Sequence, residues 1–387
     1  MSKKQLVALF TCSLVPWTIG NGLLPLLPVY AAQFGASSIV IGYYLAFAYL
    51  ALTIGTLLAG WFSDRFQRRK TLLIIVGVLM IPSVWLMGSA TNIWQLTVLS
   101  AAVWFLGGMQ LALVNILTGL FAEQAKRGAV FGFIGLTPAL GLLIGGLTSG
   151  PIVDRWGYPV LFMTLAIFST VLPIMAMFSV DRVVENDHQD GKLPRKGTIK
   201  LESAVFLLVT AVFVSQSAVF IGNMGRSISM KELGFASTAI SSTAAVSGLV
   251  MLPFPLLLGL LSDKIGRKNL IMLCHLARCL ALTVLTFSVS LWHFWMFASL
   301  LSLGSISNSI GAAFVTDLVP KTSLGIGMSL FRAASWGGGI IGFACAGYLI
   351  QRLGTTSTFV IGAFLPVVAV ILLVPLRERR QGVNTVK

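Results

Sequence analysis

Long apolar stretches follow one another along almost the whole of this chain, separated by short polar connections. A stretch of roughly 20 apolar residues is long enough to cross the hydrocarbon core of a bilayer, about 30 Å thick, as an α-helix. Backbone groups find no water inside lipid, so a spanning segment has to be a helix or part of a closed barrel. We predict twelve spanning helices with the approximate bounds 6–30, 38–62, 71–90, 94–121, 128–150, 159–180, 203–224, 236–261, 269–291, 293–317, 324–350 and 356–376.

Composition supports a membrane protein. Hydrophobic residues make up 56% of the chain and charged residues 10%, whereas soluble domains average about 45–50% apolar and 25% charged residues. The first span is too long for a cleaved signal peptide, carries Pro16, Pro25 and Pro28, and has no small-residue cleavage site. The sequence therefore predicts an all-α membrane protein.

One polar segment occurs twice. Gly60–Lys70 and Gly259–Lys268 align at an offset of 199 residues, and each follows one apolar stretch and precedes another. The mixed-charge stretch 181–202 is the one long hydrophilic connection, and it is predicted to be a cytoplasmic linker. We therefore predict two six-helix pseudo-symmetric halves, residues 1–180 and 203–387. Membrane proteins built from two parallel halves usually move something between them.

The distribution of basic residues predicts the orientation. An even number of spans places both termini on one side, and most of the 27 Lys and Arg fall in segments on that side. The positive-inside rule then makes both termini cytoplasmic in a multi-pass protein of the inner membrane. The opposite surface is predicted to carry Arg155, Arg226, Lys231 and Arg352. Topology and anionic headgroups account for the net charge of +15, so we expect no nucleic-acid partner.

The repeated segment resembles the signature loop of the major facilitator superfamily, Gly-x-Leu-x-Asp-Arg/Lys-x-Gly-Arg-Lys. The copy from Gly259 to Lys268 matches in full, and the first copy has Phe62 for Leu and Gln67 for Gly. Glycine permits a left-handed backbone, so Gln67 predicts a different local turn or a modest strain. The resemblance covers essentially the whole chain and implies the major facilitator fold, with alternating access between its halves.

In the resembling family this loop latches the cytoplasmic side. A carboxylate after a helix end can pair with an arginine four residues on and can cap a facing helix. The alternative is that the basic residues only set topology. The predicted latch residues are Asp64, Arg68, Glu123, Asp263, Arg267 and Asp317.

The fifth span resembles the glycine-rich signature of the family's drug/proton antiporters. The segment from Gly141 to Gly146 matches Gly-Pro-x-x-Gly-Gly except for Leu142 at the proline position. Close helix packing is the alternative role for these glycines. The fourth-span arginine of the antiporters is replaced by Val103, and all twelve acidic residues lie in loops or near span ends. A coupled proton or other ion therefore has no predicted carboxylate site at the bilayer midplane.

The resemblance also implies a central cavity lined mainly by spans 1, 4, 7 and 10. Neutral amides among aromatic rings suit a weakly polar, amphipathic ligand, although such amides can instead hold helices together. Arg332 in span 11 is predicted either to face the cavity or to reach the cytoplasmic surface. The predicted substrate-binding residues are Trp17, Asn21, Gln110, Asn115, Gln216, Phe220, Asn308 and Arg332.

The remaining ionisable residues within spans are His275, predicted to be a packing residue, and Arg278, whose side chain is close enough to a helix end to reach the surface. The four cysteines lie in apolar stretches, and no metal-ligand spacing occurs. No nucleophile and base are assembled, so we expect no catalytic residues, no metal and no cofactor.

These features predict a secondary active transporter, a monomer, that moves a small hydrophobic or amphipathic molecule across the inner membrane, most simply by efflux. A carrier for a small organic anion that uses Arg332 is the alternative. From other classes, the alternatives are a non-transporting membrane sensor or scaffold, and a membrane enzyme.

Overall fold

The computed structural model of this chain describes residues 2–123, 127–180, 203–253, 265–319 and 324–376. These ranges are helical and contain no strand. The predicted linker 181–202 and the predicted latch residue Asp263 lie outside them. The helices are α1 (Lys3–Leu23), α2 (Leu27–Gln33), α3 (Ser38–Phe66), α4 (Arg69–Met87), α5 (Ile93–Phe121), α6 (Arg127–Ile134), α7 (Thr137–Ser169), α8 (Val171–Met177), α9 (Ser203–Glu232), α10 (Ser237–Met251), α11 (Arg267–Thr286), α12 (Leu291–Ser305), α13 (Ser307–Leu318) and α14 (Leu324–Leu373).

Within the described ranges, nine helical segments are long and apolar enough to cross a membrane. Two of them, Gly128–Met177 and Ile326–Leu373, contain 50 and 48 residues. At 1.5 Å per residue each would be about 70–75 Å long, more than twice the hydrocarbon thickness. Each is interrupted by a glycine with positive φ, Gly157 at 82° and Gly354 at 81°. Each therefore folds as two spans joined at that glycine, and the all-α membrane fold is confirmed.

The internal repeat is visible in the backbone. Gly35 and Gly234, 199 residues apart, have φ of 72° and 79°. At the same offset, Gln67 has φ 50° and ψ 14°, and Gly266 has φ 85° and ψ 149°. Gln67 thus keeps the positive φ of its glycine counterpart at a cost of about 1–2 kcal/mol, but forms a different turn. This turn ends α3, where the Gln67 N–H donates to the Ser63 carbonyl.

We call α1–α8 the N-terminal half and α9–α14 the C-terminal half. The terminal face is the end of the bundle where α1 and α9 begin, and the sealed face is the end where α3 and α10 begin. The halves meet along two helix pairs, α3 with α14 and α7 with α10. In the first pair, a Cβ on Gly347 would lie 2.9 Å from the Gly42 Cα, and in the second, a Cβ on Gly150 would lie 2.6 Å from the Thr238 Cα. Larger residues would separate the backbones.

Side chains cap helices across the halves at the sealed face. The Asp154 carboxylate accepts hydrogen bonds from the backbone N–H groups of Ser237 (2.9 Å) and Thr238 (2.7 Å) at the start of α10. Gln351 Oε1 accepts one from the Ile39 N–H (3.0 Å) at the start of α3. Residues 154 and 351 are 197 apart, an offset that also relates Gly157 to Gly354. These three hydrogen bonds between the halves all lie at this face.

Candidate functional site

A cavity of about 570 Å³ lies between the halves on the side of the terminal face. Helices α1, α5, α9, α13 and α14 contribute to its wall. Five of the eight predicted substrate-binding residues are brought together there, namely Trp17, Asn115, Gln216, Asn308 and Arg332. The first four belong to the predicted spans 1, 4, 7 and 10, and α14 adds the cation.

The cavity wall is mostly neutral. Arg332 and Asn115 are exposed, so water reaches both side chains. Gln216 is 8% exposed, and its Oε1 has no hydrogen-bond partner in the described part of the chain. The described lining residues include no Asp or Glu. The cavity therefore offers one guanidinium and several amides to a ligand, against aromatic side chains.

Aromatic rings close the inner end of this cavity. Tyr49 contacts Phe220 and Phe343 edge-on, at ring-centroid distances of 4.9 Å and 5.1 Å, and Trp336 lies 6.1 Å away. Phe220, predicted to bind substrate, is 7% exposed and belongs to this aromatic cluster rather than to the wall of the large cavity. Because Tyr49 comes from the N-terminal half and the other rings from the C-terminal half, the cluster is held by contact between the halves.

A second cavity of about 170 Å³ lies beyond the aromatic cluster, towards the sealed face. Asn21 and Phe220 line it, together with Arg226. Arg226 is 3% exposed and lies within α9, so its predicted position outside the seventh span is wrong. Helix α9 continues to Glu232, several residues beyond the predicted end of the seventh span, and places this side chain inside the bundle.

Gln110 lies away from both cavities. It is fully buried, and its Nε2 donates to the Val76 carbonyl at 3.4 Å, which joins α5 to α4. Asn21 Nδ2 similarly donates to the Pro138 carbonyl at 3.3 Å, joining α1 to α7, but Asn21 also lines the second cavity. Gln110 therefore only joins helices, whereas Asn21 both joins helices and lines a cavity.

Comparison with known proteins agrees with this architecture. The family model described as Major Facilitator Superfamily matches residues 8–230 and again residues 205–386. The chain belongs to the major facilitator superfamily. It is accordingly a multi-pass membrane transporter and not an enzyme.

Curated relatives of this major facilitator protein include two proteins named Multidrug resistance protein MdtG. The protein from Citrobacter koseri is 26% identical over 326 residues, which cover 80% of this chain and 78% of the relative. That from Enterobacter lignolyticus is 26% identical over 314 residues, covering 77% and 73%.

Solved structures of transporters share the fold. The nucleoside transporter NupG superposes with a TM-score of 0.78 at 15% identity, covering 95% of this chain and 98% of NupG. The peptide transporter POT in complex with sulfate gives a TM-score of 0.75 at 13% identity, covering 96% and 93%. At such identities the likeness concerns the fold alone.

The repeated loops of this superfamily member differ between the halves. Arg267 Nη1 donates to Asp317 Oδ2 (2.7 Å) and to the Ala313 carbonyl (2.8 Å), which ties the start of α11 to α13. In the N-terminal half, Asp64 and Arg68 are exposed and form no ion pair with each other. The structure therefore joins two of the six predicted latch residues, and Glu123 lies exposed just after α5.

In the N-terminal half, Arg69 rather than Arg68 turns inward. It is 8% exposed, and its Nε donates to Ser63 Oγ at 2.8 Å. Ser63 is the residue whose carbonyl accepts the bond that ends α3. The basic residue next to the predicted one thus holds the turn between α3 and α4.

A buried polar chain in the C-terminal half was not predicted from the sequence. Arg278 Nη1 donates to Ser215 Oγ (2.7 Å), which lies 2.8 Å from His275 Nδ1. Arg278 is 1% exposed and does not reach the surface, contrary to expectation. His275 is the hydrogen-bonded packing residue that was expected. Only the polar side chains at 215, 275 and 278 within apolar stretches could have signalled this contact.

Proposed function

We propose that this protein exports small hydrophobic or amphipathic molecules across the inner membrane by alternating access. Residues 1–180 and 203–387 would act as the two moving halves, joined by the linker 181–202. The relatives named as multidrug resistance proteins support efflux. The large cavity is the observation that most supports the proposal, because its amides and aromatic side chains suit weakly polar ligands.

The size of that cavity fits its proposed cargo. Pockets for small molecules usually measure about 300–1,000 Å³ and are mostly apolar with a few polar groups. The cavity here has about 570 Å³ and is lined by Trp17, Trp336 and Phe331 besides the amides. A molecule of drug-like size can therefore be surrounded on several sides, while water still reaches the wall.

The proposed orientation indicates from which side of the membrane a ligand enters the large cavity. Positive-inside counting places the terminal face in the cytoplasm, so the large cavity would receive ligand from the cytoplasm while the sealed face prevents leakage. Export then requires the two helix pairs at the sealed face to separate and the terminal face to close. The predicted latch residues, Asp263 among them, would hold that closed terminal face.

Transport by purified protein in sealed liposomes tests the exporter proposal. We expect accumulation of a neutral amphipathic dye such as Nile red, and a loss of at least tenfold in rate for Trp17→Ala, because Trp17 lines the cavity. Trp94→Ala is the matched control, since Trp94 is 73% exposed at the start of α5. Absence of transport of neutral, cationic and anionic dyes alike by the wild-type protein would remove the proposal.

A carrier for a small organic anion is the second candidate, and Arg332 is the observation that favours it. Its guanidinium lies exposed in the large cavity without a hydrogen-bond or ion-pair partner in the described ranges. Arg332→Gln should then abolish transport of the best anion and leave neutral dyes nearly unaffected. Arg352→Gln, at an exposed arginine near the sealed face, is the control. Equal loss for ligands of every charge would make Arg332 structural.

A further inference from the structure

The second cavity contains a buried charge without a counter-charge. Arg226 is 3% exposed and lines this cavity of about 170 Å³. Its Nε has no hydrogen-bond partner, and no ion pair to Arg226 exists in the described ranges. The described residues that line the cavity include no Asp or Glu. No described residue therefore compensates the charge of Arg226, and a molecule bound in the cavity could do so.

A charge in this position is costly. Arginine inside a membrane-spanning bundle normally pairs with a carboxylate, a carbonyl or water, and it commonly marks the path of a ligand. Removing a guanidinium from water costs several kcal/mol unless an opposite charge offsets it. A bound anion would supply that charge at the atoms left without partners.

The other polar groups of the cavity show which of them could bind an anion. Ser247 and Ser302 both donate their hydroxyl protons to the Ala298 carbonyl, and so can only accept a further hydrogen bond. Asn223, one turn before Arg226 on α9, makes no side-chain hydrogen bond in the described ranges. The Arg226 guanidinium and the Asn223 amide thus offer an anion two donor groups on the same helical face.

The apolar residues of the wall indicate what the uncharged part of the ligand is like. Leu24, Phe220 and Leu301 supply apolar surface next to the polar groups. The volume of about 170 Å³ is close to that of an engineered cavity of about 150 Å³ in another protein, which holds one benzene molecule. A molecule with one small ring and one charged group therefore fits.

We propose that this cavity binds a small amphipathic carboxylate, with its carboxylate on Arg226 and Asn223 and its ring against Phe220 and the leucines. Guanidinium and carboxylate match in a bidentate geometry, which a neutral amide cannot reproduce. The proposal deepens the proposed export function by giving the cargo an anionic head, but the binding step itself does not require transport. The site lies between the aromatic cluster and the sealed face.

Binding of benzoate by the purified full-length protein tests the site, with benzamide as the neutral ligand of equal size. At constant ionic strength, benzoate should raise the unfolding temperature saturably and benzamide should not. Arg226→Gln should weaken benzoate binding by about 30-fold or more, and Asn223→Leu by about tenfold. Arg352→Gln, at an exposed arginine that lines neither cavity, should keep the binding of the wild-type protein.

The ligand-free variants supply the check on folding. Because Arg226→Gln removes an uncompensated charge, its unfolding temperature without ligand should equal or exceed that of the wild type. A fall in that temperature, a saturable response to benzamide, or benzoate binding that survives Arg226→Gln would each overturn the proposal. Lack of any benzoate response in the wild type would also overturn it, and would leave the export of neutral molecules standing.

Discussion

Arg278 fits between α11 and α12 only because residue 304 is glycine. A Cβ on Gly304 would clash with the Arg278 Cγ and lie 3.1 Å from its Nε. The position of Arg278 in turn fixes its neighbours: because its Nη1 donates to Ser215 Oγ, the Ser215 hydroxyl proton is free to go to His275 Nδ1. One glycine thus permits a buried charge, and that charge orders a hydrogen-bonded chain.

Gly304→Ala should destabilise the protein. Overpacking a filled site costs about 1–3 kcal/mol, so the unfolding temperature of the purified variant should fall measurably. Gly60→Ala is the matched control, because a Cβ on Gly60 would meet no atom within 4 Å. Equal unfolding temperatures for the two variants would show that Arg278 can move away without loss.

Helices α3 and α10 begin in different ways, although the repeat relates them. Ser37 precedes α3, and its own hydroxyl accepts from the Val40 N–H. Ala236 precedes α10 and has no side chain that could cap it. Asp154 of the opposite half supplies the missing acceptor, and its negative charge also suits the positive end of the helix. The start of α10 is therefore satisfied only while the sealed face stays closed.

Asp154→Ala should shift the protein towards a state open at the sealed face. Loss of a helix cap costs about 0.5–2 kcal/mol, enough to change the ratio of two states by about 2- to 30-fold. Distances between spin labels at Gln33 and Lys231, in a background lacking the four native cysteines, report the opening. We expect a larger fraction of long distances than in the parent. An unchanged distribution would mean that the glycine contacts alone close this face.

The same contact should resist acid over the physiological range. Burial by itself raises the pKa of Asp154, but hydrogen bonds from Thr238 and Ser237 outweigh it, and the pKa lies below its usual 3.8. A lowered pKa means that the carboxylate strengthens the closed state above the pKa of the open state. That contribution is lost only as the pH falls through the lowered value. The Gln33–Lys231 distances should therefore be the same at pH 5.5 and 7.5, and a shift between these two would contradict the assignment.

At the scale of the molecule, the contacts between the halves and the large cavity lie at opposite ends of the bundle. Two repeat-related helix pairs close one face, and the other face has room for a ligand. The fold itself is that of a transporter family, in which such an arrangement is one of two alternating states. The Arg267–Asp317 pair lies on the open side, where it joins helices within one half rather than across the halves.

Asp317→Asn should affect transport more than stability. The two side chains are 35% and 32% exposed, and such pairs contribute about 0–1 kcal/mol to stability. If the pair positions the loop that closes the terminal face, liposome transport should fall severalfold while the unfolding temperature changes little. Turnover equal to that of the wild type, at matched protein density, would assign the pair to topology alone.

The sequence by itself determined the helical membrane fold, the repeat and much of the large cavity. Hydropathy and segment length indicate where each span begins and ends, because a span has to match the thickness of the bilayer. The repeat placed Gly157 and Gly354 at equivalent positions, where the structure has equivalent turns. Trp17 and Asn115 were predicted to line the cavity because the family resemblance implies that spans 1 and 4 form part of its wall, and both residues were predicted to lie at middle depth in those spans.

Only the tertiary structure decided which way each side chain faces around its helix. In a membrane the lipid-facing and buried faces are both apolar, so a helix carries little periodic signal about its rotation. For that reason Arg226 could be assigned to the surface and Gln110 to the cavity, when packing turns Arg226 inward and Gln110 towards Val76. The cap that Asp154 provides to α10 joins residues 83 and 84 positions apart. Such a contact exists only once the two halves have come together.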